Sequence, residues 1–390
     1  MRVSMPTIFN NIQTQLQRLV EDLQHTNATI ANGRKYQQIS DNPLDVGALI
    51  GLNRDSSQIT QYQRNLDTAH DWLAATETAL TNINQLVSST ASLAEQMATG
   101  TYTAQQRAAA AQQVQQYLEE FMQMGNTRYQ GHYLLSGYKI DTEPFAEQPF
   151  AIQPPQMQAG STNTAFSSGT YTGAESVTYM VEIAAAGATG AATFRVSEDG
   201  GQTWSATNTT TAAPQAIGSD GVQVSFGAAS NWSAGERFTI SVYQPITYQG
   251  DNNTLDLAIG RGSRMQVSQV GSDVVGGAGG ANDLFQIMAQ LKSNLEANDA
   301  GEVGKRLEEL RDYQAHLTSV IAGQGAALNR VEIKRNAYDT IQEGLTQSIA
   351  KKGDTDLIEA ANAMASKQLA YQAALQASSM VMNMSLLNYL

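Results

Sequence analysis

Between Ile59 and Met97 the apolar positions alternate three and four apart without a slip: Ile59, Tyr62, Leu66, Ala69, Leu73, Thr76, Leu80, Ile83, Val87, Thr90, Ala94 and Met97. A repeat of about 3.5 residues is the period of a coiled coil, whereas an ordinary surface helix drifts at about 3.6. This seam constrains the fold more than any other feature, because it demands a long helix with a long partner. A helix from Leu44 to Met97 would run about 80 Å at roughly 1.5 Å per residue.

The partner is written at the other end of the chain. Val303, Leu307, Leu310, Leu317, Ile321, Leu328, Val331, Tyr338, Leu345 and Ile349 share a seam, with Gln314, Gln324, Arg335 and Gln342 between them. Polar residues in such a seam weaken it but fix its register. Gly323 and Gly325 would each cost roughly 1 kcal/mol inside a helix, and close approach of another helix is the expected reason for them. Val114, Tyr117, Phe121 and Met124 continue the same rule in a third helix.

Both ends of the chain also carry stripes. Ile8, Ile12, Leu16, Leu19, Leu23 and Ile30 fall on one face, with Thr26 keeping the alternation; Leu357, Ala361, Met364, Tyr371, Leu375, Met382, Leu386 and Leu390 lie on or beside another, with Tyr389 next to its end. Few other elements remain in the chain to cover them, so the two terminal helices are expected to pair and to self-assemble. From about Pro144 to Tyr248 the grammar changes to Thr, Ser, Gly and Pro with period-two alternation, as in "ATFRVSEDGGQTW" and "ERFTISVYQ". The expected fold is therefore mainly α with a β insertion. A long coiled-coil helical rod is built from both chain ends, plus an antiparallel β-sandwich-like domain. The segments read as 1–42, an axial helix and turn; 43–145, rod helices; 146–248, the β insertion; 249–280, a return segment; 281–353, rod helices; and 354–390, a second axial helix.

The polar window "ANGRKYQQISDNPLDVGALI", residues 31–50, places carboxylates beside basic residues and invites a catalytic reading. A turn accounts for it better. Gly33 suits a helix C-terminus, Asp41-Asn42-Pro43 supplies a capping side chain followed by proline at the first helical position, and Asp45 suits the helix dipole. There is no nucleophile with a base and no third metal ligand.

Bulk properties exclude several classes. A formal net charge of −13 argues against a nucleic-acid partner. No apolar run approaches the roughly 18 residues that insert into a membrane, and the first residues lack the apolar core of a secretory signal peptide. The chain has no cysteine, and its 4 histidines, His25, His70, His132 and His316, stand singly. No metal or cofactor is expected.

Three motifs resemble the flagellin superfamily: the Gly-Arg-Lys … Ser-Asp-Asn-Pro window, "AGQGAALNRVE" at 322–332, and "QLAYQAALQASSMVMNMSLLNYL" at the C-terminus. Within it, "NTRYQGHYLLSGYKIDTEPF", residues 126–145, and "YQGDNNTLDLAIGRGSRMQVSQVGSDVV", residues 248–275, are similar to the hook–filament junction branch, hook-associated protein 3. Asn42-Pro43 also fits that branch better than the flagellin branch. The resemblance implies a structural, non-enzymatic subunit, secreted by the flagellar type III apparatus to the hook–filament junction. It implies contacts with copies of itself in a ring or helical layer, with the other junction protein on the hook side and with flagellin on the distal side. It also implies a cytoplasmic export chaperone on the C-terminal helix. A flagellin-type filament subunit is the alternative within the family.

One motif points elsewhere. Ser197-x-Asp199-Gly200-Gly201-x-Thr203-Trp204 resembles the Asp-box hairpin of sialidases. Those enzymes repeat it around a propeller and add an arginine cluster. Here there is one copy, about 100 residues cannot form six blades, and Arg195 and Arg237 are the only arginines between Arg128 and Arg261. A secreted carbohydrate-binding or sialidase-like protein whose rod presents the β domain is the reading from another class.

Overall fold

The structure, a computed structural model, describes residues 5–158, 160–279 and 283–387; of Met5, Pro6, Ile8, Phe9 and 381–387 it describes the backbone alone. Its helices are α1 (Met5–Asn32), α2 (Pro43–Met97), α3 (Ala104–Gly125), α4 (Gly271–Val274), α5 (Leu284–Glu296), α6 (Ala300–Gly353) and α7 (Leu357–Leu387). Between α3 and α4 runs an antiparallel β domain, so the chain is mainly α with a β insertion. It divides into two compact units, residues 1–64 with 333–390 and residues 65–332.

In the first unit α1 packs along α7. The loops beside them pair: Lys35 N donates to Gly353 O at 2.7 Å and Thr355 N to Gly33 O at 3.0 Å. The start of α2 lies antiparallel to the end of α6. Tyr62 stacks on Tyr338 at 5.8 Å, Gln63 Nε2 donates to Asp339 Oδ1 at 2.7 Å, and Gln342 Nε2 donates to Ser56 Oγ at 2.8 Å.

In the second unit the α2 seam is a closed core. Leu66, Leu73, Leu80, Ile83, Val87 and Met97 are buried, as are Thr76 and Thr90. Those two hydroxyls donate to the carbonyls of Trp72 and Leu86, both at 2.9 Å, so they enter an apolar seam without an unpaired donor. Each fully buried leucine contributes roughly 1.5–3 kcal/mol. From α6, Val303, Leu310, Tyr313, Leu317 and Val331 are buried. Arg311 pairs with Glu95 at 3.2 Å and Gly325 faces Glu77, so later residues of α6 meet earlier residues of α2 here too.

The glycines of α6 differ from expectation. A Cβ at Gly323 would meet nothing within 4 Å, and one at Gly325 only Glu77 Oε1 at 3.9 Å. Close packing of another helix of the same chain is not their reason.

The β domain is a sandwich. One sheet has six strands, in the order 208–209, 193–197, 177–185, 237–243 and 151–152, with 156–157 also on the edge of 237–243; the other orders 215–217, 222–226 and 165–169. Between them lie Tyr179, Phe194, Phe226, Trp232, Phe238 and Ile240. Strand Val177–Ala185 is buried on both faces, because Thr178, Met180 and Glu182 on its outer side are covered as well. One cover is α5, which also packs on α3. Thr178 Oγ1 donates to Glu296 Oε2 at 2.8 Å, and the Ser241 and Ser293 hydroxyls pair. Buried between two partners, α5 is apolar nearly all round: Leu284, Phe285, Ile287, Met288, Leu291 and Leu295.

Candidate functional site

Three places were candidates: the turn at 31–50, the faces of the terminal helices, and the Asp-box hairpin. The turn is fully occupied by its own structure. Gly33 takes φ +66°, the left-handed conformation of a helix C-terminus. Asp41 accepts from Gln37 N at 2.8 Å and Gln38 N at 2.9 Å, and these bonds hold its carboxyl below the usual range. The capping side chain is that of Asn42: its Oδ1 accepts from Asp45 N at 3.2 Å, and Pro43 opens α2. Asp45 accepts from Tyr36 Oη and from Asn42 Nδ2, both at 2.8 Å, and from Lys352 Nζ at 3.2 Å. Its carboxyl is lowered by the Tyr36 bond first and by Lys352 second. The window thus ties the α1–α2 turn to the end of α6. Among the described residues no group of three or more His, Asp or Glu could hold a metal, and no helix is long and apolar enough to cross a membrane.

The terminal helices meet along an incomplete face. From α1, Ile12, Leu16, Leu19 and Leu23 are half-buried, and only Thr26 and Thr29 are buried. Both threonines bond back to their own helix, and Lys367 Nζ of α7 donates to Thr26 Oγ1 at 2.9 Å. From α7 the covered positions are Ala360, Met364, Lys367, Tyr371, Ala374 and Ser378. Leu375 is not among them: at 44% it is exposed, beside the face rather than on it. Ile358, Leu369 and Met380 are more exposed still. The side chains of Ile8, Met382 and Leu386, and all of Tyr389 and Leu390, lie outside the described residues.

Of the seam residues singled out in the sequence, Leu66, Leu73, Leu80, Ile83, Leu317 and Val331 are buried, and Ile59 and Leu328 half-buried. Gln324 is buried in α6 with its Oε1 unpartnered among the described residues. Sequence reasoning missed Tyr313, which is fully buried and donates from its hydroxyl to Val274 O at 2.9 Å. Its position, one residue before a polar seam site, carried no signal.

The Asp-box hairpin closes on itself. Ser197 Oγ donates to Asp199 Oδ1 at 2.7 Å and accepts from Gly201 N at 2.8 Å. Asp199 Oδ1 further accepts from Gln202 N and Thr203 N, and Oδ2 from the Thr203 hydroxyl at 2.6 Å. Burial pushes the Asp199 carboxyl up, but the bonds from Thr203, Ser197 and Gln202 outweigh it and hold the group at about 2. Gly200 and Gly201 take φ +68° and +89°, as the turn requires. Each side-chain oxygen of Ser197, Asp199 and Thr203 is hydrogen-bonded within the hairpin. Trp204 leaves the hairpin to lie over the Arg195 guanidinium, 4.4 Å from the ring centre.

Comparison with known proteins shows what part of the chain is similar to. Residues 3–140 match the model of the bacterial flagellin N-terminal helical region. No curated protein sequence matches the chain. Among solved structures, one named for a flagellar hook-associated protein of Vibrio parahaemolyticus has TM-score 0.51 at 15% identity, covering 80% of this chain and 100% of its own. FlgL of Bacillus cereus has TM-score 0.46 at 13% identity, covering 77% and 99%. Flagellar hook-associated protein 3 of Legionella pneumophila has TM-score 0.42 at 16% identity, covering 77% and 97%. At such identity the first of these speaks to the fold.

Proposed function

We propose that this chain is a flagellin-superfamily protein, a structural subunit of the bacterial flagellum that joins hook to filament. The observation that carries the reading is the terminal pair. α1 and α7 bring both ends of the chain together while Ile358, Leu369, Leu375 and Met380 stay uncovered by the chain itself. Exposed apolar residues along paired terminal helices fit burial against further copies of the chain in a ring or helical layer. The flagellin-type N-terminal region supports that axial role, and the solved hook-associated protein of like fold supports the junction branch.

In this reading the other junction protein lies on the hook side and flagellin on the distal side. The chain leaves the cell through the flagellar export apparatus, with a chaperone on α7 beforehand, which would cover the same exposed apolar positions. The closed hydrogen bonding of the turn and of the Asp box supports a subunit that does no chemistry. Deleting the gene tests this. The strain should secrete unpolymerised flagellin and lose motility, and a chain lacking residues 150–245 should restore attached filaments and motility. A deletion strain that keeps attached filaments would overturn the reading. Loss of filaments with no flagellin in the medium would favour the filament-subunit alternative.

A further inference from the structure

The outer face of the six-stranded sheet carries a charged row that the axial role does not use. Glu182 lies directly opposite Arg237 on one neighbouring strand and Arg195 on the other. Its side chain is 8% exposed, against 37% for Arg195 and 52% for Arg237. Arg195 directs Nε and Nη2 to Oε1, and Arg237 directs Nε and Nη2 to Oε2. The carboxylate is thereby saturated from both sides. The row keeps one net positive charge on a protein of net charge −13, and neither Nη1 has a partner among the described residues.

Trp204 stands over this row, 4.4 Å from the Arg195 guanidinium and 5.9 Å from that of Arg237, and remains partly exposed. Arg237 continues into a cavity of about 560 Å³ between the sheet and the α5–α6 turn, lined also by Gln156, Gln158, Asn294, Asn298 and Arg306. Arg306 has its Nη1 held by Gln290 and Glu309, and its buried Nε lacks a partner among the described residues. Asp299, Glu302 and Lys305 also line the cavity; Asp299 accepts from Gly301 N and Glu302 N, and Glu302 is paired with Lys305. A row that served only to tie three strands would need neither the half-exposed guanidiniums nor the polar space beside them.

Planar guanidinium donors match a carboxylate; an indole matches the apolar face of a sugar ring; amides match its hydroxyls. We propose that Arg195, Arg237 and Trp204, with the adjoining cavity, bind a carboxylate-bearing saccharide of the uronic acid type. The hairpin's part is to hold Trp204 in place. This inference is independent of the junction role and stands or falls on the purified chain.

The test is a tryptophan-fluorescence titration of the full chain with tetragalacturonate, its methyl ester, maltotetraose and inorganic phosphate. Trp72 and Trp232 are buried, so a change on binding reports Trp204. Tetragalacturonate should saturate the signal at least about tenfold more tightly than the other three, and Trp204→Ala should abolish the signal. Arg237→Gln should weaken binding roughly tenfold with the melting temperature near wild type, the expected loss for a charge-assisted hydrogen bond. Should that variant misfold, Arg237→Lys keeps the charge beside Glu182, removes the fork and should weaken binding likewise. No saturable change, equal binding of the methyl ester, maltotetraose or phosphate, or binding untouched in a folded Arg237 variant would overturn the proposal.

Discussion

The α2 seam in the 65–332 unit and the α1–α7 pair in the other unit are written in the same helical grammar, yet they finish differently. In the first, the apolar positions are closed by the chain: Leu66, Leu73 and Leu80 are buried, and even the intervening threonines lie inside with their hydroxyls satisfied. In the second, the described apolar residues of the α1 stripe are only half-buried, and Ile358, Leu369 and Met380 of α7 face outward, Leu369 at 70% exposure. Periodicity states that a face wants cover. It does not state whose atoms will supply it. A closed seam contributes to the stability of the single chain, and an open one holds its burial energy for association.

The largest expected effect tests the closed side. Leu73→Ala or Leu80→Ala should cost about 2–5 kcal/mol, the range for buried leucines truncated where neighbours cannot collapse into the gap. Chemical denaturation of the monomer measures it. A cost below about 1 kcal/mol would mean that the seam is as open as the terminal pair, and the contrast would be lost.

Much of this was legible in the sequence for a physical reason. A long coiled-coil seam repeats its signal many times, so the helices around Ile59–Met97 and Val303–Ile349 could be read despite the threonines and glutamines within them. Likewise the strands 177–185, 193–197, 222–226 and 237–243 announced themselves by alternation and glycine turns. The hidden features depend on what comes near in space. Helix α5 is buried over most of its surface because it lies between α3 and the sheet, so only a narrow polar edge, Gln286, Gln290 and Asn294, is left for periodicity to find. The Glu182 row joins residues from three strands through register alone. Leu375 sits a fraction of a turn from the Tyr371–Ala374 line, a difference that a stripe read by eye blurs.

The β domain offers the intermediate effects. Glu182→Gln would leave Arg195 and Arg237 facing each other across a neutral amide. Burial pushes the Glu182 carboxyl up, but hydrogen bonds from both arginines outweigh it and keep it ionised. A fully buried pair broken in this way costs about 3–5 kcal/mol; solvent screening of half-exposed guanidiniums should bring the loss to about 2 kcal/mol. High salt should recover part of it. An unchanged melting temperature would show that the row contributes nothing to the sandwich.

Asp199 gives a smaller effect with a pH signature. Its carboxyl is held at about 2, below its ordinary 3.8. A depressed carboxyl stabilises the fold fully above the unfolded value, and that contribution is lost as pH falls from about 4 towards 2. Asp199→Asn should cost about 1 kcal/mol near neutral pH and flatten the acid limb of β-domain stability in that window. An identical acid limb in the variant would mean that the hairpin's hydrogen bonds do not couple to folding.

The smallest expected change in stability is the most informative for the open side. Leu375→Ala removes an apolar side chain that is 44% exposed, leaves no enclosed cavity, and puts the best helix former in its place. The melting temperature of the isolated chain should therefore move within about ±0.5 kcal/mol in equivalent free energy, as for other surface changes. The same substitution should impair assembly, because the removed surface is what a neighbouring copy would bury. Export of the variant should be normal, with flagellin accumulating in the medium and motility reduced. A stability loss approaching that of Leu80→Ala would mean that the terminal pair is already a closed core. Unchanged stability together with full motility would mean that the outer face of α7 near Leu375 is not where copies meet, and the assembly surface would have to be sought along α1 instead.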